Sequence, residues 1–420
     1  MRLSRRHLLA RLSAATAGLY AVRLFSPAEG EAQQPNIESR IKNRLKPKKP
    51  AATPPPFVFF GTDTSKPGAK GIYVSRFNPA SGMLTPPTLA AECVHPSWMA
   101  LGTSKNRRLL YTANEGDATN SGVSAFTLDS NGTLHLLGEV TSAGAGPCYL
   151  SIDANNESMF LANYSGSSIA TYRILPDGTL SQPVERIDFR DPKFGVRGPN
   201  HVRQDAPHPH FAMLSPDNRF LLVNDLGSDS IVTFPVDAAT AKLGEPHVNE
   251  RRPGSGPRHL AFHPNERWIY SVNELDNRID QLLWNATHGD PAHGFAAQAL
   301  LTDTGRSVST LDPGFHGQNT AAEILVAPNG RFLYVSNRGE DSLVCFAIDQ
   351  ETGALTLAQR IACGGKAPRH FTLDPTAKWL VCGNQDSGSV TVFARNEGTG
   401  HLTGPIQTLP LAAPQFTLFA

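Results

Sequence analysis

Residues 256–275 read GPRHLAFHPNERWIYSVNEL, and they spell out a β-hairpin. Apolar and polar residues alternate through Leu260, Ala261, Phe262 and His263. The turn Pro264-Asn265-Glu266-Arg267 follows, and a second short strand runs from Trp268 to Val272. Antiparallel strands joined by a tight turn set the start of the first beside the end of the second. Arg258 and His259 are therefore expected next to Asn273 and Glu274, which gathers a guanidinium, an imidazole and a carboxylate at one end of a sheet.

The rest of the chain repeats this plan. Copies run HPSWMALGTSKNRRLLYTANE from His95, GPCYLSIDANNESMFLANYSG from Gly146 and HPHFAMLSPDNRFLLVNDLGS from His208. Two more run TAAEILVAPNGRFLYVSNRGE from Thr320 and APRHFTLDPTAKWLVCGNQDS from Ala367. The second strand of each copy ends in Asn114, Asn163, Asn224, Asn273, Asn337 or Asn384, a period of about 50 residues broken by two insertions. A third strand follows, as in Ile231-Val232-Thr233-Phe234, then a turn such as Glu351-Thr352-Gly353 and a fourth strand. Four antiparallel strands at this period are propeller blades. Six full copies and a partial one from Phe57 to Ala91 predict an all-β, seven-bladed β-propeller over residues 57–420. The C-terminal Phe416-Thr417-Leu418-Phe419 is expected to supply the first blade's missing strand, because an open ring would leave unpaired edges. A β-sandwich or a two-domain arrangement is the alternative.

Charge is unevenly distributed. Of 38 Lys and Arg and 37 Asp and Glu, residues 1–50 hold 11 basic and 3 acidic, which leaves 27 against 34 in the repeats. A mildly acidic repeat region argues against nucleic acid as a partner. Residues 1–32 read as an export signal: Ser4-Arg5-Arg6-His7-Leu8-Leu9 matches the twin-arginine pattern, an apolar run follows, and Gly30-Glu31-Ala32 suits cleavage. Arg11 and Arg23 interrupt that run, so no stable membrane span is expected. Residues 33–56 are a basic, proline-rich linker. The expectation is a periplasmic or secreted protein, with a basic tail on a cytoplasmic one as the alternative. Cys93, Cys148, Cys345, Cys363 and Cys382 are scattered and odd in number, and read as buried free thiols.

In a propeller the loops entering the innermost strands meet at one mouth of the central channel. The repeat register assigns to that mouth His208, His210, Arg258, His259, Glu274, Glu323, Arg338, Arg369, His370 and Gln385. The recurrent Asn, present in six copies, is read as scaffold that caps turns through side-chain to backbone bonds. His201, His208 and His210 lack a carboxylate or Cys partner in sequence, so no metal is expected. No cofactor is expected either, and the chain is expected to be a monomer. The insertions, residues 186–207 and 285–319, are expected to wall the mouth with Asp191, Lys193, Arg197, Asn200, Arg203, His316, Gln318 and Asn319.

VRGPNHVRQDAPHPH, GPRHLAFHPNERWIYSVNEL, GQNTAAEILVAPNGRFLYVSNRG and APRHFTLDPTAKWLVCGNQDS together resemble the seven-bladed propeller lactonases of the 6-phosphogluconolactonase type, a group that includes carboxymuconate cycloisomerases. The resemblance covers about residues 57–419. It implies a lactone hydrolase whose catalytic set of one His, two Arg and one Glu falls on His210 or His208, Arg258, Arg338 and Glu274. The family's His-Ala-His stands here as His208-Pro209-His210. His208, His259, Glu323, Arg369, His370 and Gln385 are then expected to bind the substrate, a small lactone. Glu274 or a neutral His210 would serve as base. A cycloisomerase and a non-catalytic binding platform are the alternatives.

Overall fold

The computed structural model describes residues 56–105, 107–287 and 298–420. The expected signal at 1–32 and all but the last residue of the linker lie outside these. The described chain forms seven antiparallel sheets of four or five strands. Gly256–Leu275 supplies the two inner strands of the fifth, Pro257–Phe262 and Trp268–Asn273, continued outward by Arg278–Thr287 and Gln298–Ser309. Ring closure follows the expectation: Pro414–Phe419 pairs with Phe57–Thr62, so the chain's last strand is the innermost strand of its first blade.

Blades are locked to their neighbours by buried tyrosines on the second strands. Tyr111, Tyr270 and Tyr334 are fully buried, and their hydroxyls donate to the carbonyls of Gly178, Gly353 and Gly400 at 2.9, 2.7 and 2.6 Å. Each of those glycines sits in the outer turn of the next blade at positive φ (91°, 72° and 75°), so the turn chemistry of one blade satisfies the phenol of another.

The register contains a feature absent from a plain hairpin. In the fifth blade Pro257 pairs with Asn273 and His259 with Val272, so Arg258 is an extra residue, a β-bulge. The same shift occurs in every blade. It leaves out Gln415, Ser97, Cys148, His210 and Arg369 in the first, second, third, fourth and seventh blades, and in the sixth it sets Ala322 and Glu323 against the single residue Ser336. Arg258 therefore does not pair beside Asn273 as the unbroken hairpin predicts; the bulge turns it out of the ladder.

The register also corrects one repeat position. Asp225, not Asn224, aligns with Asn273, because Pro209 pairs with Asp225 while Phe211 pairs with Asn224. Asp225 performs the capping, with Oδ1 accepting from the N–H groups of His208 (2.6 Å) and Gly227 (2.9 Å). The true asparagines are buried scaffold: Asn163 and Asn337 donate to the backbone carbonyls of Ser142 and Thr310 at 2.9 Å, as expected, and the others bond to third-strand side chains. Asn114 Nδ2 reaches Ser124 Oγ at 2.7 Å, Asn273 Nδ2 reaches Asp280 Oδ2 at 3.0 Å, and Asn384 Nδ2 reaches Thr391 Oγ1 at 3.1 Å.

Candidate active site

The bulges and the residues after them build two stacked layers in the channel. The lower layer takes one side chain from each blade: Phe416, Trp98, Tyr149, Phe211, His259, Glu323 and His370. These close a ring of contacts. Trp98 meets Tyr149 at 4.1 Å between ring centroids, Tyr149 meets Phe211 at 4.1 Å and Phe211 meets His259 at 5.1 Å. His259 Nδ1 then lies 3.1 Å from Glu323 Oε2, which lies 3.4 Å from His370 Nε2. His370 meets Phe416 at 4.2 Å, and Phe416 returns to Trp98 at 4.3 Å. The channel is therefore plugged, and the bulged side chains stand on the plug.

At the centre of the upper layer is Glu274, which follows the strand-ending Asn273 and is 2% exposed. Its Oε1 accepts from Arg203, while Oε2 lies 3.0 Å from Arg258 Nε and 2.9 Å from Arg338 Nη2. Burial alone would raise this carboxyl, but Arg338, Arg258 and Arg203 outweigh it and hold the group far below the usual carboxylate range. Burial and the adjacent Arg338 lower Arg258 relative to an ordinary guanidinium, with Glu274 opposing, although a guanidinium keeps its charge at neutral pH. Arg369 reaches across to Glu115 at 3.4 Å. Four guanidiniums thus face two carboxylates, a local surplus of positive charge.

His208 and His210 differ in what they touch. His208 stacks on Tyr164, its Nδ1 lies 3.0 Å from the Tyr164 carbonyl and its Nε2 lies 3.0 Å from Asp205, so both nitrogens are engaged. His210 occupies the bulge, packs edge-on to Tyr164 and His259, and its buried Nδ1 has no partner among the described residues. Burial first, then Arg258, holds its imidazole well below the ordinary histidine range, so it is neutral at neutral pH.

Above these groups opens a cavity of about 760 Å³ lined by Asn200, Arg203, Gln318, Asn319, Arg338, Lys366 and Gln385 among others. Arg203, Asn200, Gln318 and Asn319 come from the insertions, as expected. Asp191, Lys193 and Arg197 do not line this cavity: Asp191 caps the short turn Pro192–Phe194, whose Phe194 packs against Phe189 at 4.5 Å, and Arg197 donates to the Asp205 carbonyl. His316 is also absent from the lining. Among the described residues of the second insertion, 285–287 and 298–309 extend the outer hairpin, and the segment after Ser309 returns to the mouth. The first insertion is seated through Gly227, where a Cβ would come within 1.9 Å of the Ala206 carbonyl.

Of the residues expected at the mouth, His210, Arg258, Glu274, Arg338, Arg369 and Gln385 belong to the upper layer or the cavity wall. His259, Glu323 and His370 lie one layer down, and His208 is held at the side. Sequence reasoning passed over Tyr164 and Glu115. Both occupy the repeat position of Glu274 and Arg338, directly after the strand-ending Asn, and that register was the available signal. Among the described residues no group of three or more His, Cys, Asp or Glu is arranged to hold a metal ion.

The fold and its channel site agree with the comparisons to known proteins. A family model described as lactonase, 7-bladed β-propeller, matches residues 57–419, and the chain belongs to this family, a class of lactone hydrolases. A Bacillus subtilis protein named 6-phosphogluconolactonase is 34% identical over 346 residues, covering 82% of this chain and 93% of its own. One of the same name from Formosa agariphila is 31% identical over 354 residues, covering 82% and 94%. The solved structure of the periplasmic gluconolactonase PpgL of Pseudomonas aeruginosa superimposes with a TM-score of 0.75 at 28% identity, covering 87% of this chain and 98% of its own.

A stability prediction follows from the buried carboxylate. Its depressed folded value means that Glu274 contributes stability above about pH 4.3, the unfolded glutamate value, which is lost as pH falls toward the folded value. Glu274→Gln leaves Arg258 and Arg338 buried without their counter-ion and is expected to cost about 3–5 kcal/mol in urea unfolding at neutral pH. The deficit should narrow at pH values below about 4, where the wild type begins to lose the same interaction.

Proposed function

We propose that this protein hydrolyses an unphosphorylated sugar lactone at the channel mouth after export, with His210 as base and Arg258 and Arg338 stabilising the oxyanion. The observation that carries the reading is the sharing of one carboxylate, Glu274, by three arginines next to a neutral imidazole whose Nδ1 has no partner among the described residues. Such a site holds fixed positive charge where negative charge would develop, and a proton acceptor beside it. With both oxygens engaged by arginines and its basicity suppressed, Glu274 is a poor base; it orients the guanidiniums. The His210 imidazole takes the proton from water as the oxygen attacks the lactone carbonyl. Its basicity rises as the oxyanion forms nearby, since the positive neighbours that oppose its protonation are then neutralised. Collapse of the intermediate breaks the bond to the ring oxygen, which takes back the proton, and the product leaves as a hydroxy acid.

The cavity wall supports a polyhydroxylated substrate. Gln318 and Gln385 offer amide donors and acceptors that match hydroxyl groups, Asn200 offers its amide N–H groups, and Arg203 and Lys366 add donors, while the Asn319 amide is held by Asn277, Asn337 and Glu340. Gln385 is assigned to substrate contact on the same grounds, Arg369 by its charge in the upper layer beside Glu115, and His208 to holding Tyr164 against His210. The twin-arginine pattern in residues 1–32 supports a reaction outside the cytoplasm, where a phosphorylated metabolic intermediate is scarce. The name of the periplasmic gluconolactonase PpgL is in keeping with this.

Glucono-1,5-lactone is the first substrate to test. His210→Asn is expected to lower kcat about 10²- to 10⁴-fold, the usual loss of a general base, and His208→Asn far less. Equal loss in both variants, or a wild type inert towards every aldonolactone, would remove the assignment. Fractionation of cells making the full chain should recover the mature protein in the periplasm, and Arg5→Lys with Arg6→Lys should retain it in the cytoplasm. Recovery of the wild-type chain in the cytoplasm would restore the phosphorylated lactone as the substrate to test.

A further inference from the structure

Three titratable side chains of the lower layer have no part in the hydrolysis described above. The other four places in that layer are filled by aromatic rings, yet blades five, six and seven contribute His259, Glu323 and His370, exposed by 2%, 7% and 7%. They lie directly beneath Arg258. Its Nη1 donates to the carbonyl of Ala322 at 2.8 Å and sits 3.4 Å from Nδ1 and 3.3 Å from Nε2 of His259. An in-plane approach at equal distance from both nitrogens would collide with the ring carbon between them, so the guanidinium rests on the imidazole face. That contact favours a neutral ring.

The hydrogen bonds around Glu323 define where the protons are. The Thr417 N–H donates to His370 Nδ1 at 3.2 Å, which puts the His370 proton on Nε2, facing Glu323 Oε2. The Ile324 N–H donates to Glu323 Oε1 at 3.1 Å. The His370 N–H thus faces Oε2 at 3.4 Å, and a proton on Oε2 extends the chain by donating to His259 Nδ1 at 3.1 Å. We propose that His259, Glu323 and His370 form a positioning platform for Arg258, in which Glu323 is the neutral acid that joins the two imidazoles. Its function in hydrolysis rests on the role assigned to Arg258 above.

The electrostatics agree with the geometry. Burial pushes the Glu323 carboxyl up to about 8, against the opposing pull of Arg258 and the Ile324 N–H. Burial and then Arg258 hold both His259 and His370 well below the ordinary histidine range. The charged groups above the platform are Arg258, Arg369, Arg338 and Glu274, while His210 packs against His259 and Tyr149 faces the platform from the third blade. As pH rises through about 8 the carboxyl proton is lost. The donor to His259 then disappears, and a carboxylate under Arg258 competes with the substrate oxyanion for its charge.

The test compares Glu323→Gln, whose amide nitrogen in the place of Oε2 keeps the donor to His259 and loses only the weaker contact with His370, with Glu323→Leu, which keeps neither. On glucono-1,5-lactone at neutral pH, Glu323→Gln should keep kcat within about fivefold of wild type and Glu323→Leu should lose at least about a hundredfold, with KM changed much less. The alkaline fall in kcat should be present in wild type and absent from Glu323→Gln. Thermal melting of both variants separates a folding defect from a positioning one. Glu323→Gln as inactive as Glu323→Leu while melting like wild type overturns the proposal, as does an alkaline fall that persists in Glu323→Gln. An independent readout is the infrared carbonyl stretch of a buried protonated carboxyl at neutral pH. Its loss in Glu323→Gln supports the platform even if no lactone is hydrolysed and the activity assignment falls, and its absence from wild type overturns it.

Discussion

An extra residue at the start of each innermost strand is the constraint on which this site depends. Without the bulge, strand alternation would send Arg258 and His259 to opposite faces of one sheet and leave the channel with a single residue type per blade. With it, one side chain from each blade fills the channel and the preceding one stands at its mouth. The plug and the reactive layer are thus products of the same backbone irregularity, repeated around a ring that the last strand closes. Pairing of the last strand with the first blade fixes the ring, so the seven bulges are held in fixed relation by the blades on either side.

Charge in the upper layer is arranged on that rigid base. One carboxylate serves three guanidiniums, each from a different part of the chain: Arg258 from a bulge, Arg338 from the end of a second strand and Arg203 from an insertion. A buried ion pair contributes little net stability when compared with apolar packing, so an excess of buried arginines around a single acid has a cost that stability does not explain. An anion arriving in the cavity or forming during reaction completes the set. The neutral His210 beside it, and the neutral platform below, keep that positive charge from being cancelled by the protein itself.

Much of this was legible in the sequence because blades advertise themselves. Pro-Asn-Gly and Pro-Asp-Asn turns, alternating strands and a period near fifty residues fixed the ring, including the strand supplied by Phe416–Phe419. The bulge was not legible in one copy, since an extra residue looks the same as a continuing strand until the partner register is known. Its trace was nonetheless present in the recurring Pro followed by a variable residue and then an aromatic or His, as in Pro147-Cys148-Tyr149 and Pro257-Arg258-His259. Reading that pattern would have separated Arg258 from His259 by layer. It would also have moved the strand-ending position in the fourth blade from Asn224 to Asp225, and it would have drawn in Tyr164 and Glu115. The long segment after Asn285 misled for a different reason: an extended outer hairpin and a mouth loop have similar composition, and only strand pairing tells them apart.

In the proposed hydrolysis a neutral His210, and not Glu274, accepts the proton from water under the field of the arginines. The pH dependence of kcat/KM for aldonolactone hydrolysis tests it most directly, because it reports the free enzyme's essential base. Positive neighbours and burial lower the His210 imidazole, so activity should fall on acidification only well below about pH 6.5, the ordinary histidine value, and this limb should vanish from the residual activity of His210→Asn. An acid limb that persists in that variant, or one centred at or above the ordinary histidine value, would contradict the account.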